Sequence, residues 1–203
     1  MIAVVDYGAS NLSSVSGAIV RLGYPAVVTS EAEAILSAEA IVLPGVGAAG
    51  DAMRKLAALG LVEAIRTTVA EHRPFLGICL GYQILFSETE EGGVQCLGLL
   101  PGRVVRLPRG LKVPHMGWNQ VRQRVTHPIF RGIPDGADFY FVHSYYPDVA
   151  DRSLVAGETE YGLTFCSLAA RGNMVATQFH PEKSGDLGLQ MLRNFFDFTG
   201  VEP

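Results

Sequence analysis

Cys79 lies in the run Arg73-Pro74-Phe75-Leu76-Gly77-Ile78-Cys79-Leu80-Gly81-Tyr82-Gln83, where an apolar stretch reaches a cysteine between glycines and gives way to a helical pattern. Gly-x-Cys-x-Gly in that setting is the thiol version of the nucleophile elbow, a strand-to-helix turn that points one side chain outward. Pro74–Ile78 is the expected strand. Gly77 and Gly81 leave room for a sharp bend and for a substrate to approach. Unpaired N–H groups at the start of the following helix favour the thiolate, the form that attacks carbonyls. A lone cysteine is more often inert core, so the elbow needs a base elsewhere in the chain before it means catalysis. Cys96 and Cys166 have no such setting and read as structural.

The base must come from five histidines. His72 and His127 sit in polar surroundings that suit solvated side chains. His115 and His143 lie among apolar and aromatic residues, the usual place of a satisfied core histidine. His180 ends the apolar run Met174–Phe179, Pro181 stops the strand ladder, and Glu182 follows two positions on. In extended chain, positions i and i+2 point the same way, so Glu182 is placed to hold the imidazole and favour its charged form. Nucleophile, base and orienter are then present. His-x-Glu alone also suits a surface turn or part of a metal site, but a metal lacks its third and fourth ligands at helpful spacing. For an oxyanion, the elbow offers the Leu80 N–H, and the turn Pro44-Gly45-Val46-Gly47 offers a second donor.

These residues need a scaffold. Ile2–Asp6, Ala26–Thr29, Ala40–Leu43 and Pro74–Ile78 read as strands. Between and after them lie helical patterns over Asn11–Leu22, capped by Ser10 or Asn11, then Glu31–Ser37, Gly50–Ala58, Leu61–Glu71 and Leu80–Phe86. That order predicts an α/β fold with a mostly parallel central sheet flanked by helices. The second half reads as strands at Arg103–Leu107, Asn119–Val121, Phe139–Tyr146, Leu154–Glu158, Leu163–Ala169 and Met174–Phe179, with short turns that imply antiparallel pairing. Leu187–Phe198 closes the chain as an amphipathic helix. No repeat or linker divides residues 1–203, which are expected to form a single domain. Ligands of open parallel sheets bind beyond the carboxyl ends of the strands. Asp6-Tyr7-Gly8, Pro44–Gly47 and Cys79-Leu80-Gly81 all fall there.

Composition narrows the partners. The net charge of -4 argues against a nucleic-acid or anionic-membrane surface. Three cysteines do not form a disulfide framework and suit a reducing, cytoplasmic compartment. The N-terminus reads as a strand rather than a signal peptide, and no apolar stretch approaches the roughly 18 residues of a membrane span.

Gly77-Ile78-Cys79-Leu80-Gly81-Tyr82-Gln83 together with Phe179-His180-Pro181-Glu182 resembles the class I (triad) glutamine amidotransferases. Further motifs recur in order: Asp6-Tyr7-Gly8 with Asn11, Pro44–Gly47, His115-Met116-Gly117-Trp118-Asn119, Phe141-Val142-His143-Ser144-Tyr145 and Gln178–Ser184. With them the resemblance narrows to the glutaminase-subunit family of imidazole glycerol phosphate synthases and runs from Ile2 to the C-terminal helix. It implies that Cys79 attacks the glutamine amide, that His180 moves the proton and that Glu182 orients His180. It implies an oxyanion hole from Leu80 and Val46, and glutamine held by Gly45, Gly47, Gln83, Ser144 and Tyr145. It implies no cofactor and no metal. The implied partner is a cyclase subunit with a (β/α)8 barrel, which takes the ammonia and converts PRFAR to imidazole glycerol phosphate and AICAR in histidine biosynthesis. Asn11, Trp118, Tyr140 and Lys183 are the expected interface. Val46 stands where many relatives carry glycine, which fits a glutaminase held back until its partner binds.

Three rival readings remain at this level. The glutaminase of pyridoxal phosphate synthesis shares length and triad, but His115–Asn119 and Pro44–Gly47 speak against it. A non-catalytic regulatory subunit is disfavoured by the complete Cys79, His180, Glu182 set. For a cysteine peptidase, the glutamine-holding residues favour a small amide substrate instead.

Overall fold

Short apolar runs separated by helical periods need crossover connections, and crossovers make parallel pairs. The computed structural model describes residues 1–203. Its first half contains β1 (Ile2–Val5), α1 (Leu12–Arg21), β2 (Ala26–Thr29), α2 (Ala32–Ser37), β3 (Ala40–Leu43), α3 (Ala49–Ala58), α4 (Leu61–Ala70), β4 (Phe75–Ile78) and α5 (Leu80–Gln83). Three short strands follow, β5 (Glu88–Thr89), β6 (Val94–Gln95) and β7 (Gly102–Arg106). Then come β8 (His115–Gln123), β9 (Ala137–His143), β10 (Tyr145–Val149), β11 (Val155–Glu160), β12 (Thr164–Arg171), β13 (Met174–Thr177) and α6 (Gly185–Thr199).

Nine strands form one sheet in the order β2-β1-β3-β4-β13-β12-β11-β8-β9. β1 pairs in parallel with β2 and β3, and β4 in parallel with β3 and β13. From β13 onward every pair is antiparallel. β13 is the junction. It returns from β12 through the turn at Gly172 and runs beside β4, with Thr177 opposite Ile78. That register sets the end of the Cys79 strand beside the chain that continues to His180.

β1, β3, β4 and β13 are buried at every position, as strands covered on both faces must be. Side-chain alternation divides them between two cores. Ala3, Val5, Ile41 and Leu43 pack with residues of α2, α3 and α4, while Ile2, Val4, Ala40 and Val42 pack with residues of α1 and α6. A second sheet, β10-β7-β5-β6, adds Val104 and Val149 to the first of these cores. No helix is long and apolar enough to cross a membrane.

The expected α/β architecture holds, and the differences from it are local. The run Phe139–Tyr146 is two strands rather than one, because the chain leaves β9 at Ser144 and enters the second sheet as β10. The helix expected over Leu80–Phe86 keeps a single turn, and the chain then closes in turns that bring Leu97, Leu99 and Leu100 onto Ile84 and Leu85. The β5–β6 hairpin is too short and too polar to show a period of two. Asn11 occupies the N-cap position of α1, yet its side chain makes no cap bond, and neither does that of Ser10.

Candidate active site

The elbow forms because the chain must reverse between β4 and α5 without leaving the sheet. Cys79 is held at φ 54°, ψ −106°, a region that residues with a Cβ rarely occupy. Its N–H donates to the Thr177 carbonyl at 2.7 Å, and its own carbonyl accepts from the Tyr82 and Gln83 N–H groups, both at 3.1 Å. A side chain on Gly81 would overlap the Leu43 carbonyl oxygen. Gly81 is therefore needed to press α5 against the end of β3, not to admit substrate. Because α5 is one turn long and returns two N–H groups to Cys79 itself, it presents no full helix terminus to the sulfur.

Beyond β13, His180 and Glu182 follow as a 3-10 turn beginning at Pro181. His180 Nδ1 and Glu182 Oε1 are 2.7 Å apart, and both side chains are almost fully buried. Burial works to lower the His180 pKa. The nearby Cys79 and the bonded Glu182 carboxylate outweigh it and raise the pKa to about 9. The Asn11 side-chain amide donates to the same Glu182 oxygen at 2.6 Å. This explains the missing helix cap. Asn11, in a left-handed conformation at φ 83°, turns its amide inward to a buried carboxylate. His180 Nε2 and Glu182 Oε2 have no hydrogen-bond partner.

Cys79 opens into a cavity of about 250 Å³ that also meets Val46, Gly47, Leu80, Gln83, Ser144 and Tyr145. These seven expected residues come from three separate stretches of chain, 46–47, 79–83 and 144–145, while Gly45 is not among the lining residues. A larger open depression of about 690 Å³ beside His127 and Arg131 holds no nucleophile. Within the small cavity, the Leu80 N–H donates to the Gly45 carbonyl at 3.3 Å. Tyr7 donates its hydroxyl to the Pro44 carbonyl at 3.1 Å and fills the space a side chain on Gly45 would need. Glu91, in the turn between β5 and β6, also lines the cavity and accepts from the Ala49 N–H at 2.8 Å. The residues around Glu91 carry no periodic pattern, so nothing in the sequence marked it.

Trp118 is 58% exposed, which excludes a core role, and meets Tyr140 edge to face at 6.2 Å. Met116 is exposed on the same face of β8, and Lys183 is exposed at the turn after His180. His115 and His143 are buried and bonded to each other, as core histidines should be. His127 is not merely solvated: its Nδ1 accepts from the Ile129 N–H. Cys96 and Cys166 are buried free thiols whose pKa values burial pushes up to about 11 and about 12. No three His, Cys, Asp or Glu side chains converge as metal ligands do.

An elbow-borne thiol beside a histidine–carboxylate pair, at the carboxyl ends of a parallel sheet, meets its class in sequence comparison. The profile of the glutamine amidotransferase class-I family matches residues 3–198, and the chain belongs to that family. Among curated relatives, the imidazole glycerol phosphate synthase subunit HisH of Dehalococcoides mccartyi (strain CBDB1) is 58% identical over 197 residues, covering 97% of this chain and 96% of the relative. The HisH subunit of Moorella thermoacetica (strain ATCC 39073 / JCM 9320) is 56% identical over 195 residues, covering 96% and 93%. A crystal structure of a glutamine amidotransferase matches the fold with a TM-score of 0.79 at 20% identity, over 99% of this chain and 100% of that one. Within the class, the relatives place this chain among the HisH subunits.

Proposed function

We propose that this chain, acting as one domain in the cytoplasm, hydrolyses L-glutamine to L-glutamate and ammonia through Cys79, His180 and Glu182 and hands the ammonia to a cyclase subunit. Glutamine lies in the 250 Å³ cavity with its side-chain amide at Cys79. Gln83, Ser144 and Tyr145 hold its backbone end with Gly45 and Gly47 alongside, and the Glu91 carboxylate meets its ammonium group. The sulfur bonds to the amide carbon and the negative charge moves to the amide oxygen. Leu80 N–H and Val46 N–H receive that charge once the Gly45–Val46 peptide has turned. His180, protonated at neutral pH, gives its proton to the leaving ammonia. Water then takes the thioester carbon, and its proton passes to His180.

The partner is a (β/α)8-barrel cyclase that docks on the face carrying Trp118, Tyr140, Asn11 and Lys183. The ammonia passes through that barrel and reacts with PRFAR to give imidazole glycerol phosphate and AICAR, a step of histidine biosynthesis. No cofactor or metal takes part. What supports the reading most directly is the His180–Glu182 bond at 2.7 Å, buried, beside a thiol that opens into a glutamine-sized cavity. Cys79→Ala in the assembled complex should abolish synthesis from glutamine and leave synthesis from free ammonia intact. Glutaminase activity that survives this change would sink the assignment.

A further inference from the structure

Gln178 belongs to neither the triad nor the cavity wall, yet its fully buried amide reaches the reacting sulfur. Which end of the amide faces that sulfur follows from the bonding around it. The Tyr145 carbonyl can only accept, so the Gln83 atom 2.8 Å from it is the amide nitrogen. That nitrogen also lies 3.1 Å from Gln178, whose facing atom must then be Oε1. The other end of Gln178, Nε2, is left 3.7 Å from Cys79 Sγ. The same carbonyl orders a second branch. His143 Nδ1 donates to it at 2.9 Å, so the neutral ring presents a bare Nε2 to His115 Nδ1, also at 2.9 Å. Burial keeps both rings neutral, with pKa values of about 3 for His143 and about 4 for His115. Every donor in this network is therefore uncharged.

We infer that Gln178 is a catalytic residue, a permanent neutral hydrogen-bond donor that stabilises the Cys79 thiolate. The thiol form keeps a separate acceptor in the Val142 carbonyl, 3.8 Å from the sulfur. His180 helps the thiolate only while it carries a proton, and it loses that proton to the leaving ammonia. The Gln178 N–H does not titrate. In the second half-reaction, the water oxygen bonds to the thioester carbon and the water proton goes to His180. The carbon–sulfur bond then breaks and its electron pair stays on sulfur, where the Gln178 N–H meets it.

This inference rests on Cys79 as the nucleophile, and its test is separable from that of the triad. The full-length chain is alkylated with iodoacetamide across a pH series, and modification of Cys79 is followed by mass spectrometry of its peptide. Gln178→Leu, which removes the donor, should move the midpoint of the rate profile up by about one pH unit, a tenfold loss of thiolate at fixed pH. Gln178→Glu is nearly isosteric, remains available if leucine prevents folding, and should move the midpoint further because it sets a carboxylate oxygen against the sulfur. A midpoint left in place in either folded variant overturns the inference even if turnover falls, since a merely structural role would not move the profile. The Cys79→Ala result stands or falls independently of this.

Discussion

The Leu80 N–H donates to the Gly45 carbonyl oxygen at 3.3 Å, so the donor that the Cys79 elbow offers is already taken by backbone. The Pro44 carbonyl beside it is held by Tyr7. The loop thus sits in a satisfied conformation in which its own oxygen occupies the Leu80 donor proposed for the oxyanion. Turning the Gly45–Val46 peptide would remove that oxygen and present the Val46 N–H instead. A β-branched residue resists the backbone angles such a turn passes through.

Val46→Gly should therefore raise glutamine hydrolysis by the chain alone. A left-handed conformation costs a residue with a Cβ about 1–2 kcal/mol, which corresponds to roughly a 5- to 30-fold rise in kcat. Steady-state glutaminase assays without the cyclase subunit measure this. Basal turnover unchanged by glycine would mean that Val46 does not restrain the loop.

Asn11 separates two roles. As an interface residue it should affect assembly, whereas its 2.6 Å bond to Glu182 suits a positioning residue for the proposed triad. Removing a hydrogen bond to a buried carboxylate costs about 1.5–3 kcal/mol, so Asn11→Ala should lower kcat by about 10- to 100-fold with little change in KM. The alkaline limb of the pH–rate profile should shift too, since Glu182 would hold His180 less firmly. If only the dissociation constant of the complex changes, Asn11 belongs to the interface alone.

Stability should depend on pH in two windows with opposite origins. His143 and His115 have folded pKa values of about 3 and 4, below the unfolded value of 6.5, so below pH 6.5 the unfolded chain binds more protons. Stability should fall as pH drops from about 6.5 toward 4, by up to roughly 1.4 kcal/mol per pH unit for each histidine. His180 acts the other way. Its folded pKa of about 9 means that its contribution is complete below pH 6.5 and is lost as pH rises to about 9. Urea-unfolding midpoints across pH 4–10 test both, and His180→Gln should flatten the alkaline limb alone.

Much of the site was legible because its pieces are local. Gly77-x-Cys79-x-Gly81 announces an elbow by residue type, and His180-Pro181-Glu182 offers an orienter two positions on, a weak signal until the elbow stands beside it. The alternating strand and helix periods before Cys79 predicted the parallel half of the sheet for the same reason. Less was legible where a residue's role depends on a distant one. Asn11 looked like a helix cap, because nothing near it in the chain announces a buried carboxylate 171 positions away. Ser144 looked like the middle of a strand, because a change of sheet leaves no mark on the pattern of apolar residues.

The sequence by itself determined which groups are available: one thiol on an elbow, one histidine with a carboxylate two residues on, and a glycine-rich turn at a strand end. Those follow from side-chain chemistry and short-range backbone geometry. Only the tertiary structure decided which groups meet. The parallel register of Thr177 with Ile78 sets the Cys79 and His180 segments side by side, and the fold carries Asn11, Gln178 and Tyr145 to them. It also decided that the Gly45 oxygen fills the Leu80 donor, since a backbone carbonyl adopts whichever partner the packing of Tyr7 and Gly81 leaves within reach.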